Sequence, residues 1–173
     1  MKHFLLGLFF CIMTTPLFAE KIEDMYVMRH TQEGQLFFIR PNTFFSDDHK
    51  PEFSFDITHL NTTDTASIKM TVYESTLVNV DSVAILCDGQ RYICNTPMSI
   101  YKEKEKKHWV HRCDCVFSFK EVKLAMIADE APTFVIYTNK STLSYTATAN
   151  NWKKLHPNFS DIFMIIDESR RLR

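Results

Sequence analysis

Glycine is scarce in this chain of 173 residues, with only Gly7, Gly34 and Gly89 present. Phosphate-cradling loops and the fingerprint loops of dinucleotide-binding domains need several glycines close together, because glycine adopts positive φ angles freely and lets the backbone approach a ligand closely. The G-x-S-x-G motif that presents the nucleophilic serine of α/β-hydrolases is also absent. The sequence therefore excludes these classes of protein, but not enzymes that need no glycine-rich loop.

An excess of charge of either sign is also lacking. The chain has 20 Lys and Arg residues against 21 Asp and Glu residues, a formal net charge of −1 at pH 7. Binding to nucleic acid or to an anionic membrane surface depends on a marked excess of basic residues, so the sequence predicts neither partner. After residue 19 no apolar run approaches the roughly 20 residues that span a bilayer, and no transmembrane segment is expected there.

The longest apolar run lies at the N-terminus, over residues 4–13 (FLLGLFFCIM). It follows the basic residue Lys2 and precedes the small residue Ala19, which is the order of a cleavable secretory signal peptide. A buried N-terminal strand or an uncleaved anchor is the alternative. We expect residues 1–19 to be a signal peptide, residues 20–173 to form a single β-rich domain, and the protein to be periplasmic or secreted.

Apolar and polar residues alternate along much of the remaining chain, a pattern typical of half-buried β-strands. Asp88-Gly89 between two apolar runs is the strongest signal of a two-residue hairpin turn. Connections are short and strands do not alternate with helices, so we expect about nine mostly antiparallel strands, folded as a β-sandwich or an open barrel. The candidate strands are residues 25–31, 35–41, 53–57, 68–73, 83–86, 91–94, 98–101, 109–119, 133–138 and 142–149, and residues 42–51 read as a loop.

One or two short helices are expected beside the strands. A capping-box pattern that begins at Ser118 predicts a helix over residues 119–128. Near the C-terminus, Ser160 caps a predicted helix over residues 161–170, whose isoleucines follow helical spacing. A strand over residues 162–166 is the competing interpretation.

Removal of residues 1–19 would take Cys11 away and leave an even number of cysteines. An even number in an exported chain favours disulfide bonds, with buried free thiols as the alternative. The candidate disulfide cysteines are Cys87, Cys94, Cys113 and Cys115.

The predicted turn at Asp88-Gly89 bears on how these cysteines pair. It would place Cys87 beside Gln90 and Cys94 opposite Val83, which separates the two cysteines by about four residues, or roughly 13 Å along the strand. A disulfide needs Cα atoms within about 7 Å. The turn therefore disfavours a bond between Cys87 and Cys94, and favours bonds from each to the strand that carries the other two.

A metal site is a third possibility for these residues. His111, Cys113 and Cys115 are spaced by two and should share one face of a strand. Thiolate and imidazole ligands suit zinc or copper, and Cys87 or Cys94 could complete a tetrahedron. The C-x₂₋₄-C spacing of structural zinc sites is missing, so disulfides rank first and the metal site last. No cofactor is predicted.

No catalytic motif stands out in the rest of the chain. The charge run KEKEKK at residues 102–107 reads as the solvated tip of a long hairpin. The remaining histidines are scattered, the acidic pairs at 47–48 and 129–130 lie in polar segments, and Trp109 is expected in the core. Trp152 reads as a junction that packs onto the sheet.

These observations favour a non-catalytic exported β-sandwich that binds a protein or another envelope component. A small exported hydrolase and a metal-binding domain are the alternatives. A flat, exposed apolar patch would favour binding. A deep pocket with two polar groups of perturbed pKa would favour the hydrolase, and four sulfur or nitrogen atoms about 2.0–2.3 Å from one point would favour the metal site.

Overall fold

The computed structural model describes residues 20–45 and 51–172, and in these ranges ten strands form two antiparallel sheets. The predicted signal peptide and Asp47, Asp48 and His49 lie outside the described residues. The strands are β1 (Tyr26–Thr31), β2 (Gly34–Phe45), β3 (Pro51–Leu60), β4 (Thr65–Glu74), β5 (Val80–Cys87), β6 (Gln90–Cys94), β7 (Met98–Glu105), β8 (His108–Ser118), β9 (Thr133–Thr138) and β10 (Thr142–Thr146). The helices are α1 (Glu20–Glu23), a single turn, α2 (Phe119–Met126) and α3 (Ala149–Arg171).

The large sheet has the order β1-β2-β3-β4-β8-β7, and the small sheet has the order β10-β9-β5-β6. Their inner faces meet through an aromatic core, in which Phe134 of β9 lies 4.9 Å from Phe53 and 5.0 Å from Phe55 of β3 between ring centroids. The rest of the inner face of the large sheet is covered by α2 and α3, whose Phe119 and Phe163 lie 5.8 Å apart. The predicted antiparallel, mostly β architecture is confirmed, with no closed barrel among the described strands.

Local turn chemistry sets the hairpin between β5 and β6. Asp88 and Gly89 have φ angles of 47° and 71°, the positive values that a tight hairpin turn of this kind requires. Cys87 pairs with Gln90, and Val83 pairs with Cys94. The predicted turn and its register are therefore confirmed.

The predicted capping box of α2 is present. The backbone N–H of Ser118 donates to the carboxylate of Glu121 at 3.1 Å, which satisfies one of the free donors at the helix start. The helix ends at Met126 rather than at residue 128.

The C-terminal helix is longer than predicted, and its start was placed wrongly. It begins at Ala149, where the Thr148 hydroxyl accepts a hydrogen bond from the backbone of Asn151 at 3.3 Å. The predicted start was placed from Ser160 as a capping residue, but Ser160 lies inside the helix, as does Pro157, which removes one backbone donor. The helix continues through it because one face is buried at helical spacing. That face consists of Trp152, Phe159, Ile162, Phe163 and Ile166.

Residues 42–45 were also predicted wrongly, as part of a loop. They extend β2 after a register shift between Ile39 and Asn42, where the chain accommodates Pro41 in a bulge. Phe44 then lies in the core, 2 % exposed. The alternation of buried and exposed side chains along β2 is interrupted at Pro41 and resumes after the bulge, at Asn42.

Arg170 fixes the end of α3 to the large sheet. Its guanidinium donates to the carbonyl of Thr63 at 3.0 Å, pairs with Asp64, and lies 4.9 Å from the ring centre of Phe119. The buried ring of His59 stacks on Phe119 at 3.9 Å between centroids. No helix in the described ranges is long and apolar enough to cross a membrane.

Candidate functional site

The outer edge of the large sheet carries a cluster of exposed apolar side chains, which we call the β7–β8 patch. Met98 is 62 % exposed, Ile100 and Tyr101 are each 43 % exposed, and Val116 is 56 % exposed. All eight residues of β7 are exposed. Exposed apolar residues that cluster in this way commonly mark interaction surfaces.

Strand register explains why these side chains lie together. Met98 pairs with Asp114 and Tyr101 pairs with Arg112, so both residues of β7 lie on the outer face, as does Val116. Ile100 is the additional residue at the register shift between Ser99 and Tyr101. The bulge thereby brings Met98 and Tyr101, three positions apart, to the same face.

A polar network borders the patch on the side of β4 and β3. Arg112 donates to the hydroxyl of Thr71 at 2.8 Å and forms an ion pair with Asp56, whose side chain is only 1 % exposed. Asp114 accepts a hydrogen bond from the hydroxyl of Ser67. The patch is therefore apolar at its centre and held by cross-strand hydrogen bonds at its rim.

The far half of β7 and the following turn are charged. The sequence KEKEKK at residues 102–107 is exposed throughout, which confirms the predicted solvated tip. Lys102 and Lys104 pair with His111 and Trp109, so they lie on the opposite face from Glu103. Lysines outnumber glutamates in this run by four to two, and the excess comes from Lys106 and Lys107 in the turn after β7.

A small cavity of about 130 Å³ lies beneath this edge, between the β7–β8 hairpin and the start of β5. His111, Cys113, Ser99, Lys102 and Asn79 contribute to its wall. Specific binding pockets for drug-sized ligands have volumes of roughly 300–1,000 Å³. The cavity therefore has room for only about four water molecules, at about 30 Å³ each.

His111 is buried in the wall of this cavity, 2 % exposed, and neither ring nitrogen forms a hydrogen bond of regular geometry with the described residues. Burial lowers the pKa of His111, the nearby Lys102 charge adds to this effect, and the backbone of Thr76 beside the ring opposes it. His111 is therefore neutral at pH 7.

Cys113 is the second titratable group at the cavity. A hydrogen bond from the Cys115 thiol lowers the pKa of Cys113, burial and Asp114 oppose this shift, and Arg112 adds to it. A hydrolase nucleophile needs a general base within hydrogen-bond reach. The partner of Cys113 is Cys115 and not His111, so the cavity holds two perturbed groups without a nucleophile–base pair.

The four described cysteines are free, buried thiols. Cys115 lies within hydrogen-bonding reach of both Cys113 and Cys94, so three of the four candidates meet where β6 of the small sheet faces β8. Cys87 lies apart, with its thiol 3.9 Å from the carbonyl of Leu124 in α2. Burial, together with Asp88, raises the pKa of Cys87 to about 11.

The metal-site hypothesis finds no support in the described ranges. His111, Cys113 and Cys115 share the inner face of β8, as their spacing predicts. No three His, Cys, Asp or Glu side chains among the described residues are arranged to hold a metal ion.

Three open grooves among the described residues have volumes of 370 to 560 Å³. Asp129 and Glu130 line the groove of 560 Å³, together with Trp152 and His156. The indole of Trp152 donates to the carbonyl of Ala128 at 3.1 Å, and a ring nitrogen of His156 lies 3.0 Å from the Ile127 carbonyl oxygen. These two side chains connect α3 to the end of α2. Trp109, which was expected in the core, is half-buried at the start of β8.

The patch is the feature that sequence reasoning missed. One signal for it was present: Val116 follows Arg112 and Asp114 at the positions of β8 that face solvent, where a polar residue is expected.

Comparison of the chain with protein-family models, with curated proteins and with solved structures found no match. The function proposed below therefore depends on the geometry of the patch and the cavity.

Proposed function

We propose that this protein is an exported, non-catalytic β-sandwich that binds an extended segment of a partner protein at the β7–β8 patch. The observation that carries the proposal is the fully exposed edge strand β7, with Met98, Ile100 and Tyr101 in its first half and Val116 beside it. Exposed sheet edges accept partner strands through backbone hydrogen bonds, and side-chain pockets supply the specificity.

The position of β7 in the sheet and the charges along it indicate what kind of partner segment would bind. Among the described strands, β7 pairs only with β8, so its second edge presents backbone groups to a partner. The first half of β7 is mostly apolar, and the second half alternates two lysines with two glutamates. The complementary segment is an extended stretch with apolar residues on one face against Met98, Tyr101 and Val116, and with acidic residues on its other face against Lys102 and Lys104.

The cavity argues against the alternative of a hydrolase. It is too small for an ordinary substrate, and its histidine and cysteine do not form a nucleophile–base pair.

Peptide display tests the binding proposal. The purified mature protein, residues 20–173, is used to select from random 12-residue peptides on phage, and the peptides obtained are measured with two variants. Met98→Lys places a charge in the patch. Met164→Lys places the same charge on α3 at a matched position, since the two methionines are 62 % and 63 % exposed.

We expect apolar peptides with acidic residues to be selected, and Met98→Lys to weaken their binding about tenfold or more. The reason is that burying an exposed methionine contributes about 1–2 kcal/mol, and a lysine forfeits it. Met164→Lys should leave the affinity unchanged. Equal loss in both variants, or no peptide bound above the level of an unrelated protein, contradicts the proposal.

Export is a separate part of the proposal and rests on the order of residues 1–19. Cleavage after Ala19 leaves Glu20 as the first residue. N-terminal sequencing of the protein from the source cells' envelope and medium checks this. An intact Met1 on protein recovered from the cytoplasm alone would contradict it.

A further inference from the structure

The contact between β6 and β8 contains cysteines that could form a disulfide bond. Three buried thiols lie there: Cys94 at the end of β6, and Cys113 and Cys115 on the inner face of β8. Cys94 is 5 %, Cys113 is 3 % and Cys115 is 0 % exposed. β6 belongs to the small sheet and β8 to the large sheet, so a bond between these strands would join the two layers.

We infer that Cys94 and Cys115 form a disulfide that joins the two sheets under oxidising conditions, while Cys87 and Cys113 remain thiols. Strands β6 and β8 are in contact, and all three cysteines belong to the same buried core there. The Cys115 thiol interacts with those of both Cys94 and Cys113, so Cys115 is the central sulfur of the cluster. Among the described cysteines, Cys113 interacts with Cys115 and with no other thiol. Cys94 therefore reaches β8 at Cys115.

Strand geometry disfavours the competing bond between Cys113 and Cys115. Residues two apart on a strand have Cα atoms about 6.6 Å apart, and their side chains stand nearly parallel. A disulfide needs its Cβ atoms at about 3.8 Å. Closing that bond would require β8 to bend in the middle of its ladder with β4, where Cys113 and Cys115 pair with Met70 and Ile68.

Cys87 is excluded by position. It pairs with Gln90 at the turn of the hairpin, whereas Cys94 lies at the far end of the same ladder opposite Val83. Its thiol faces the carbonyl of Leu124 in α2 instead. The hairpin register thus separates Cys87 from Cys94, and the Cys87 thiol packs against α2.

The oxidation uses a small-molecule disulfide, such as glutathione disulfide, as the oxidant. A thiolate of the cluster attacks it, which forms a mixed disulfide and releases one glutathione thiol. The second cysteine then attacks the mixed disulfide, which forms the Cys94–Cys115 bond and releases the second glutathione. Two cysteine thiols lose two electrons and two protons, and the oxidant gains them.

The test is a disulfide map of the purified mature protein after equilibration with glutathione mixtures. Cleavage after lysine and before aspartate places the four cysteines on different peptides, residues 81–87, 88–102, 108–113 and 114–120. We expect 88–102 to be linked to 114–120, and the other two peptides to be alkylated. Because the bond closes a ring of about 20 residues, it should raise the melting temperature by about 6–12 °C.

Variants keep the test decisive. Cys113→Ala should retain the linked pair of peptides, and Cys94→Ala should lose it together with the rise in melting temperature on oxidation. A link from 108–113 or from 81–87 to any other peptide overturns the inference, as do four alkylated cysteines at every glutathione ratio. The measurement uses no partner peptide and no cell fraction, so its outcome is independent of the binding and export proposals.

Discussion

Replacing Arg112 with leucine would remove the ion-pair partner of an almost completely buried carboxylate. Asp56 lies on the outer face of the large sheet with a side chain only 1 % exposed, and one of its oxygens has no hydrogen-bond partner among the described residues. The second oxygen is paired with Arg112. The variant therefore leaves a buried negative charge without compensation.

The expected loss follows from the exposure of the pair. Breaking a fully buried ion pair by removing one partner costs about 3–5 kcal/mol. The Arg112 side chain is 22 % exposed, so water already screens part of the attraction. We therefore expect Arg112→Leu to lower the free energy of unfolding by about 3 kcal/mol, the lower end of that range.

Urea unfolding of the reduced protein, followed by tryptophan fluorescence, measures this loss. The matched control is Lys123→Leu, which breaks the pair with Asp167, where the side chains are 32 % and 28 % exposed. Its effect should stay below about 1 kcal/mol. A loss for Arg112→Leu no larger than that of the control would refute the reasoning.

A double variant separates the attraction between Asp56 and Arg112 from the cost of burying their charges. Asp56→Leu with Arg112→Leu removes both charges and places apolar side chains on the sheet. Such replacements are often neutral or stabilising relative to the pair, so the double variant should be more stable than Arg112→Leu alone. A sum of the two single losses would mean that the residues do not interact.

Two further predictions concern His59 and the turn of the β5–β6 hairpin. Burial lowers the pKa of His59 below 6.5 and the Arg170 charge adds to this, while the bond to Thr65 and the charges of Asp64 and Asp167 oppose it. The unfolded chain therefore takes up the proton first, so the contribution of neutral His59 to stability is complete above pH 6.5 and is lost as the pH falls from 6.5 through the folded-state pKa. Urea midpoints between pH 7.5 and pH 5 should show this loss, and it should be smaller in His59→Gln; an equal slope in both proteins would assign the loss to other groups. Gly89→Ala should lower the melting temperature by a few degrees, equivalent to about 1 kcal/mol, because the φ angle of 71° strains any side chain although nothing lies within 4 Å of the added carbon; an unchanged melting temperature would contradict this.

Local signals account for most of what the sequence predicted correctly. Asp88-Gly89 sets the β5–β6 register by its own backbone preferences, and Ser118 with Glu121 starts α2 through hydrogen bonds within one turn. The two larger boundary errors lie next to prolines. The predicted strand ended at Pro41 and the predicted C-terminal helix began after Pro157, but burial of Phe44 and Trp152 outweighs the lost backbone donor in each case.

The cluster of three cysteines depends on the packing of the two sheets, which no local sequence pattern specifies. The sequence could place Cys94 opposite Val83 and could bring it toward β8, but the contact with Cys115 depends on how β6 lies over the large sheet. The β7–β8 patch was missed for a different reason. Methionine and tyrosine are residue types that often lie in a protein core. Met98 and Tyr101 are exposed only because β7 lies at the edge of the sheet.

The division of β7 into an apolar half and a charged half also affects how two copies of this protein would meet. Full-length antiparallel pairing of β7 with itself would set Met98 against Glu105 and Ile100 against Glu103. Each contact would desolvate a carboxylate and place it against an apolar side chain, which is unfavourable. The edge can thus remain open to a foreign strand while discouraging fibre-like growth from copies of the same chain.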